Sequence, residues 1–250
     1  DVHSAGFYNK TNLQQYTDNG TNAQKWIIEK NSDSTYTLIS RCNGKCIDIA
    51  SANTANGTNA QLYESNSTAA QKFILKSSYD IMDNTKTTVD KMVNLYQHNT
   101  NYTYKQYLTS LGSNTSKAPS SLREFCQLYV EECSYEGVKA EVAFSQAMVE
   151  TGWLRYSGDV NPTQFNFAGL GATGNGAKGL SFESARIGIR AQIQHLKAYA
   201  STDNLNLACV DPRFKYVKRG CAPSVYGLSG TWAADKTYGG KIAKLMDMLV

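Results

Sequence analysis

The chain has 250 residues, 41% of them apolar, and a formal charge of +4. That length and apolar share support one or two domains with buried cores. The mild charge suits an anionic surface but lacks the concentrated basic face that nucleic-acid binding requires, and no apolar run approaches the roughly 20 residues of a bilayer-spanning helix. The start, without Met and without a signal-like segment, reads as a processing site or a cut edge. Neither CxxC pairs nor clustered His appear, so no metal or other cofactor is expected. Of the six Cys, Cys126 and Cys133 lie seven apart in a helical pattern, too far along the axis to bond each other. Cys209 with Cys221, and Cys42 with Cys46 across Asn43-Gly44, are the pairings that spacing leaves open.

Composition changes near Lys76, from Asn, Thr, Ser and Gln with short apolar pairs to long stretches of helical spacing. Within the first part, Asp1-Val2 falls on Asp48-Ile49, Gln14 and Tyr16 on Gln61 and Tyr63, and Gln24-Lys25-Trp26 on Gln71-Lys72-Phe73. A repeat of this kind, with several short strands in each copy, means stacked β units sharing one core. The segment KCIDIASANTANGTNAQLYESNSTAAQKFIL resembles the ricin-type β-trefoil lectins, whose repeats carry a QxW signature. The resemblance implies a sugar site of Asp48, Tyr63 and Asn66 in one unit and of Asp1, Tyr16 and Asn19 in the other. Read as residues alone, the Asp and Gln side chains satisfy turn backbone groups, and the Trp26 and Phe73 rings belong to the core. A trefoil needs three units, and one complete unit preceded by the tail of another implies a chain continuing N-terminally. The disulfide usual at the KC position lacks its partner, because Ser65 stands where a second Cys often lies.

Residues 77–120 read as a connecting helix and linker, with Thr88 as cap and Met92, Val93 and Tyr96 at helical spacing, followed by a polar stretch with Gly112 and Pro119. Ser121-Leu-Arg-Glu124 is a capping box that opens a helix burying Leu122, Phe125, Cys126, Leu128, Tyr129 and Cys133. Gly137 ends it. A second helix carries Ala140, Phe144, Ala147 and Met148 and ends near Gly152.

Glu150 lies in the last turn of that second helix, beside Met148 and Trp153. The negative end of the helix dipole and apolar neighbours both disfavour its ionised form, and so raise its pKa. A carboxylic acid kept protonated near neutrality is what protonates the leaving oxygen of a glycosidic bond.

AFSQAMVETGW, QFNFAGLGATG and GTWAADKTYGGKI, in that order, resemble three motifs of the bacterial cell-wall glucosaminidases of glycoside hydrolase family 73. The resemblance implies an α+β, mainly helical lysozyme-like catalytic domain over 121–250, behind a partial all-β trefoil over 1–76. In it Glu150 is the general acid, Tyr238 sits near the scissile bond, and Asn166, Phe167 and Gly169 line the sugar site. Phe167 and Trp232 either touch sugar or pack between lobes, while Gln146 and Gln164 read as structural. The family often carries a second carboxylate on a β-hairpin, and only NGAKGL separates Thr173-Gly174 from Ser181, so that hairpin is missing. Asp159 and Glu183 remain as second carboxylates, with Glu183 also suited to the first turn of a helix capped by Ser181. Attack by the substrate's own N-acetyl group is the third possibility.

The implied activity is hydrolysis of peptidoglycan at N-acetylglucosamine, as in an autolysin or phage lysin acting outside the cell or at the wall. A muramidase or lytic transglycosylase of the same fold, and a glycan-binding module with weakened catalysis, are the rival readings. An amidase or peptidase is disfavoured, because His3, His98 and His195 form neither a metal cluster nor a Cys-His pair; His195 reads as a helix residue at the core edge.

Overall fold

A computed structural model of the protein describes residues 1–75, 79–172 and 176–250. The change of character expected at Lys76 and the start of the shortened segment at Thr173-Gly174 lie outside the described residues. Contacts divide the chain into two units, Asp1–Lys76 and Ser77–Val250.

In the first unit four short strands, β1 (Trp26–Lys30), β2 (Tyr36–Ser40), β3 (Cys46–Ile49) and β4 (Ala60–Tyr63), form an antiparallel sheet in sequence order. The 47-residue offset is visible in its hydrogen bonds. Gln24 Oε1 accepts the Asn19 N–H at 2.9 Å, and Gln71 Oε1 accepts that of Asn66 at 2.9 Å. Gln24 Nε2 donates to the Thr17 carbonyl at 2.8 Å, and Gln71 Nε2 to that of Glu64 at 2.9 Å. Each repeat Gln thus ties one loop to itself, which is the turn-satisfying role its type suggests. The buried core is small, Val2, Ala23 and Leu62, with Trp26 packed against it. Phe73 is half-buried and pairs its backbone with Tyr36. Ile27 and Ile28 on β1 remain exposed.

The second unit is helical: α1 (Val89–Asn99), α2 (Tyr104–Ser110), α3 (Leu122–Glu136), α4 (Ala140–Thr151), α5 (Ala185–Ala200) and α6 (Tyr238–Met246). Caps set several starts. Thr88 accepts the Lys91 N–H, and Ser121 accepts that of Glu124. The return arm of the expected Ser121 box is displaced by one residue, since the Glu124 carboxylate takes the N–H and hydroxyl of Ser120, both at 2.8 Å. A full capping box instead opens α2, between Thr103 and Gln106. Residues 77–120 are more than a connection, because Ile81, Met92, Leu95, Tyr96, Tyr104, Tyr107 and Leu111 belong to the main core. The aromatic rings of this segment fill a gap that the polar residues between them disguise in sequence.

α3 ends at Gly137 and α4 at Gly152, both left-handed. α4 is buried on every side from Ala140 to Met148 and packs against α3, α5 and α6. α5 is tied to α3 by charges: Glu132, fully buried, accepts from Arg186 at 2.6 Å and from Arg190 at 2.7 Å, and Glu136 accepts from Lys197 at 2.9 Å. The helix begins three residues later than Ser181 suggests. The Phe182 N–H is taken by the Gln164 carbonyl at 2.9 Å, which keeps the segment extended, and Ser184 caps Ile187 instead. Glu183 therefore precedes the cap and is exposed.

All six cysteines are free thiols. The two pairings that spacing left open are not made; Cys42 Sγ lies 3.0 Å from Ser40 Oγ, and Cys209 Sγ donates to the Asp211 carbonyl at 3.4 Å.

Gly188 is where α5 meets the loop that precedes it. A Cβ there would lie 1.8 Å from the Phe165 carbonyl oxygen, so only glycine lets the loop carrying Asn166 and Gly169 rest on the helix. Gly188→Ala is expected to destabilise the fold by about 3 kcal/mol. Urea unfolding followed by circular dichroism measures this, and parent-like stability would contradict the close approach.

Candidate active site

The carboxylate of Glu150 is half-buried at the end of α4, and α6 brings Tyr238 to it from 88 residues away. The Tyr238 hydroxyl donates to Glu150 Oε1 at 2.5 Å and accepts from Gln146 Nε2 at 3.0 Å. Burial pushes the Glu150 carboxyl above the usual range, and hydrogen bonds from the Tyr238 hydroxyl and the Trp232 side chain pull it partly back. Burial first, and then the neighbouring carboxylate, push the Tyr238 hydroxyl far up, so it keeps its proton.

Beyond Glu150 the chain runs through a left-handed stretch, with φ of 55° at Gly152, 62° at Trp153 and 64° at Leu154. Such backbone in residues other than glycine costs roughly 1–3 kcal/mol each and is held by its surroundings. Here the Trp153 N–H bonds the Met148 carbonyl at 2.9 Å, and the Thr151 hydroxyl accepts from the Leu154 N–H at 2.9 Å. The turn leads to Tyr156 and Asp159, which with Val160, Asn166, Gly169 and Glu150 line a pocket of about 170 Å³. Gly169 has φ of 62°, and a Cβ on it would sit 3.3 Å from Glu150 Oε2. This glycine is what lets the loop pass so close to the acid.

Asn166 lines the pocket but spends its amide on its own loop. Its Oδ1 accepts from Leu170 N at 2.9 Å, and its Nδ2 donates to the carbonyls of Leu170 at 2.9 Å and Leu180 at 3.1 Å. Phe167 is fully buried, edge-on to Phe125 at 5.3 Å, and presents no surface to a sugar. Trp232 is half-buried beside Glu150, against the edge of His195 at 4.8 Å. Asp159 is exposed on the pocket wall, and Glu183 does not line the pocket. Gln164 is structural as expected, closing a cap with Asn161 and donating to the Lys178 carbonyl at 2.7 Å. Gln146 goes further, since it bonds Tyr238 directly.

Two features escaped sequence reasoning. His195 Nδ1 pairs with the buried Asp211 at 2.6 Å behind Trp232, and nothing local to either residue signals the pairing. The hydroxyl of Tyr156 is buried at the pocket without a partner among the described residues. No group of three His, Cys, Asp or Glu side chains among the described residues could hold a metal ion.

In the first unit, Asp48, Tyr63 and Asn66 line one pocket of about 360 Å³. Asp1, Tyr16 and Asn19 line its repeat, of about 520 Å³. Asp48 is buried and accepts from Gln61 at 3.2 Å and Gln71 at 3.1 Å, so it serves the loop while its carboxylate keeps lone pairs to spare. Asn66 Oδ1 is taken by the N–H and hydroxyl of Thr68, which leaves the amide nitrogen for a ligand.

Comparison with known proteins matches both halves. Residues 1–63 match the family described as ricin-type beta-trefoil lectin domain-like, and residues 126–249 the Glucosaminidase family, described as mannosyl-glycoprotein endo-beta-N-acetylglucosaminidase. An uncharacterised protein of Borreliella burgdorferi is 49% identical over 118 residues, which is 47% of this chain and 58% of that protein. A designed three-fold symmetric protein, ThreeFoil, is 29% identical over 31% of this chain and 56% of its own, with a TM-score of 0.31. The chain thus spans a little over half the length of each. The matched segment, which holds Glu150 and Tyr238, is a glycoside hydrolase domain within the second unit. More particularly, the chain joins a ricin-type lectin-like domain to a Glucosaminidase domain.

Because the folded-state pKa of Glu150 lies above its unfolded value, ionisation opposes folding once pH rises past the unfolded pKa. At pH 7, Glu150→Gln is therefore expected to raise the urea midpoint, with the difference vanishing below about pH 4. A variant less stable than the parent at pH 7 would show that the carboxylate is not strained by burial.

Proposed function

We propose that the protein is an endo-β-N-acetylglucosaminidase that hydrolyses the glycan strands of bacterial peptidoglycan, with Glu150 as general acid. The observation that carries this reading is the Glu150 carboxyl, raised by burial and held by Tyr238 on the wall of an open pocket. A protonated Glu150 gives its proton to the glycosidic oxygen as the bond to the anomeric carbon breaks. Asp159, which shares the pocket, is the carboxylate placed to balance the positive charge that develops on the sugar or to activate water. Such a substrate puts the enzyme outside the cell or at the wall.

Glu150→Gln is expected to lower wall lysis by at least about 1,000-fold while binding persists. Asp159→Asn is expected to cost roughly 10-fold or more, and Glu183→Gln nothing measurable. An unchanged Asp159→Asn would transfer its role to the substrate's acetamido group, and lysis retained by Glu150→Gln would remove Glu150 from the mechanism. Borohydride reduction of the digest should yield reduced N-acetylglucosamine by mass spectrometry; reduced muramic acid would assign the other bond and a muramidase.

The lectin-like half holds the glycan, in this reading, through the Asp48 carboxylate, the Tyr63 ring and the Asn66 amide nitrogen. Because Asp48 also braces Gln61 and Gln71, Asp48→Ala is expected to weaken binding on a glycan array about 10-fold or more. Binding that survives it would place the sugar elsewhere.

A further inference from the structure

Gln146, Gln192 and Tyr129 are fully buried behind Glu150, and no step of the chemistry above uses them. Their side chains form one continuous series of hydrogen bonds. The Tyr129 hydroxyl donates to Gln192 Oε1 at 2.9 Å, Gln192 Nε2 donates to Gln146 Oε1 at 2.9 Å, and Gln146 Nε2 donates to Tyr238 Oη at 3.0 Å. Tyr238 then donates to Glu150 Oε1.

One backbone group fixes the direction of the whole series. Gln192 Nε2 also donates to the Ala143 carbonyl at 2.8 Å, and a carbonyl oxygen only accepts. The nitrogen end of Gln192 is therefore pinned, its other N–H must meet the oxygen of Gln146, and the nitrogen of Gln146 must face Tyr238. Turning either amide round would set oxygen against oxygen or N–H against N–H. Tyr238, whose oxygen already accepts a hydrogen bond from Gln146, donates its own to Glu150.

We infer that Gln146 and Gln192 are positioning residues that make Tyr238 an obligate donor to Glu150 Oε1, so that the proton passed to substrate is carried on Oε2. This rests on Glu150 being the acid. A protonated carboxyl has one O–H and one carbonyl oxygen. The carbonyl is the stronger acceptor, so the short bond from Tyr238 favours it at Oε1, while the bond from Trp232 adds a second donor to the same group. Oε2 is the oxygen beside Gly169, which itself lines the pocket. The relay turns a carboxyl with two equivalent oxygens into an oriented acid, and in a dry interior each member polarises the next.

The titratable groups facing Glu150 are Tyr238 from α6 and Tyr156 and Asp159 from the segment after α4, with His195 and Asp211 behind Trp232. All remain in the relay variants, so differences between those variants report the relay. Once ionised, the carboxylate of Gln146→Glu only accepts, which draws the Tyr238 hydroxyl proton away from Glu150 and adds a negative neighbour. Gln146→Met and Tyr129→Phe remove hydrogen bonds with little change of volume, and stand in if Gln146→Glu does not fold.

The full chain, labelled with carbon-13 at the Glu side-chain carboxyl, is titrated by NMR, the Glu150 resonance being assigned by its loss in Glu150→Gln. The Glu150 midpoint is expected to rise by about one pH unit or more in Gln146→Glu, by less in Gln146→Met and least in Tyr129→Phe. The alkaline limb of kcat/KM should move the same way, with kcat down about 10-fold in Gln146→Met and KM within about two-fold. Folded Gln146→Met and Tyr129→Phe with unmoved midpoints and limbs would overturn the inference and leave the glutamines as packing. Lysis retained by Glu150→Gln would instead remove the acid itself, and the inference with it.

Discussion

The hydrogen bond from Tyr238 to Glu150 is the interaction on which the second unit is organised. It joins the last turn of α4 to the first of α6, and it exists only if both helices are seated to within a fraction of an ångström. α4 is buried all round, so its end is fixed by packing against α3, α5 and α6. An acid at that end is set against the helix dipole and among apolar neighbours, which costs stability. Two side-chain donors, Tyr238 and Trp232, offset part of that cost without abolishing it. The remaining imbalance is the chemical property of the site: a carboxyl that holds its proton more tightly than one in water.

Seating those helices takes polar groups into the core, where each must be satisfied. Glu132 is met by two arginines, and Glu136 by Lys197 and two backbone N–H groups. Breaking one partner of such a set leaves a buried charge unpaired, typically at 3–5 kcal/mol, so the α3–α5 contact has one geometry. That geometry matters to the acid because α5 carries both Gly188, under the pocket loop, and Gln192, in the series that ends at Glu150. The charges lie away from the pocket, yet they fix the floor on which it is built.

What was legible in the sequence was what depends on near neighbours. Thr88 and Ser121 as caps, Gly137 and Gly152 as helix ends, and the apolar face of α3 all follow from local spacing, and the structure has them. The two family domains were likewise readable from motifs in order. What failed depended on partners far away. Ser181 reads as the cap in sequence, but the Gln164 carbonyl holds Phe182 extended and the helix starts after Ser184. Phe167, open in sequence to sugar contact or to packing, has its ring claimed by Phe125 on α3. The tyrosines of α2 look like a polar connection until the core around Phe125 gives them a place. Asp211 pairs with His195 across 16 residues with no periodicity linking them.

The two halves differ in the same respect. In the first unit the bonds to each pocket carboxylate stay within one repeat, as in Asp48 with Gln61 and Gln71, and the other copy has the counterpart bond between Asp1 and Gln14. A carboxylate held in this way is copied when its repeat is copied, because its partners travel with it. The Glu150 site could not be copied so. Its pKa comes from burial, and its orientation from Tyr238 at a separation of 88 residues and Gln192 on a third helix. A carboxyl that holds its proton more tightly than one in water needs a low-dielectric setting, and a closed core with several helices supplies one.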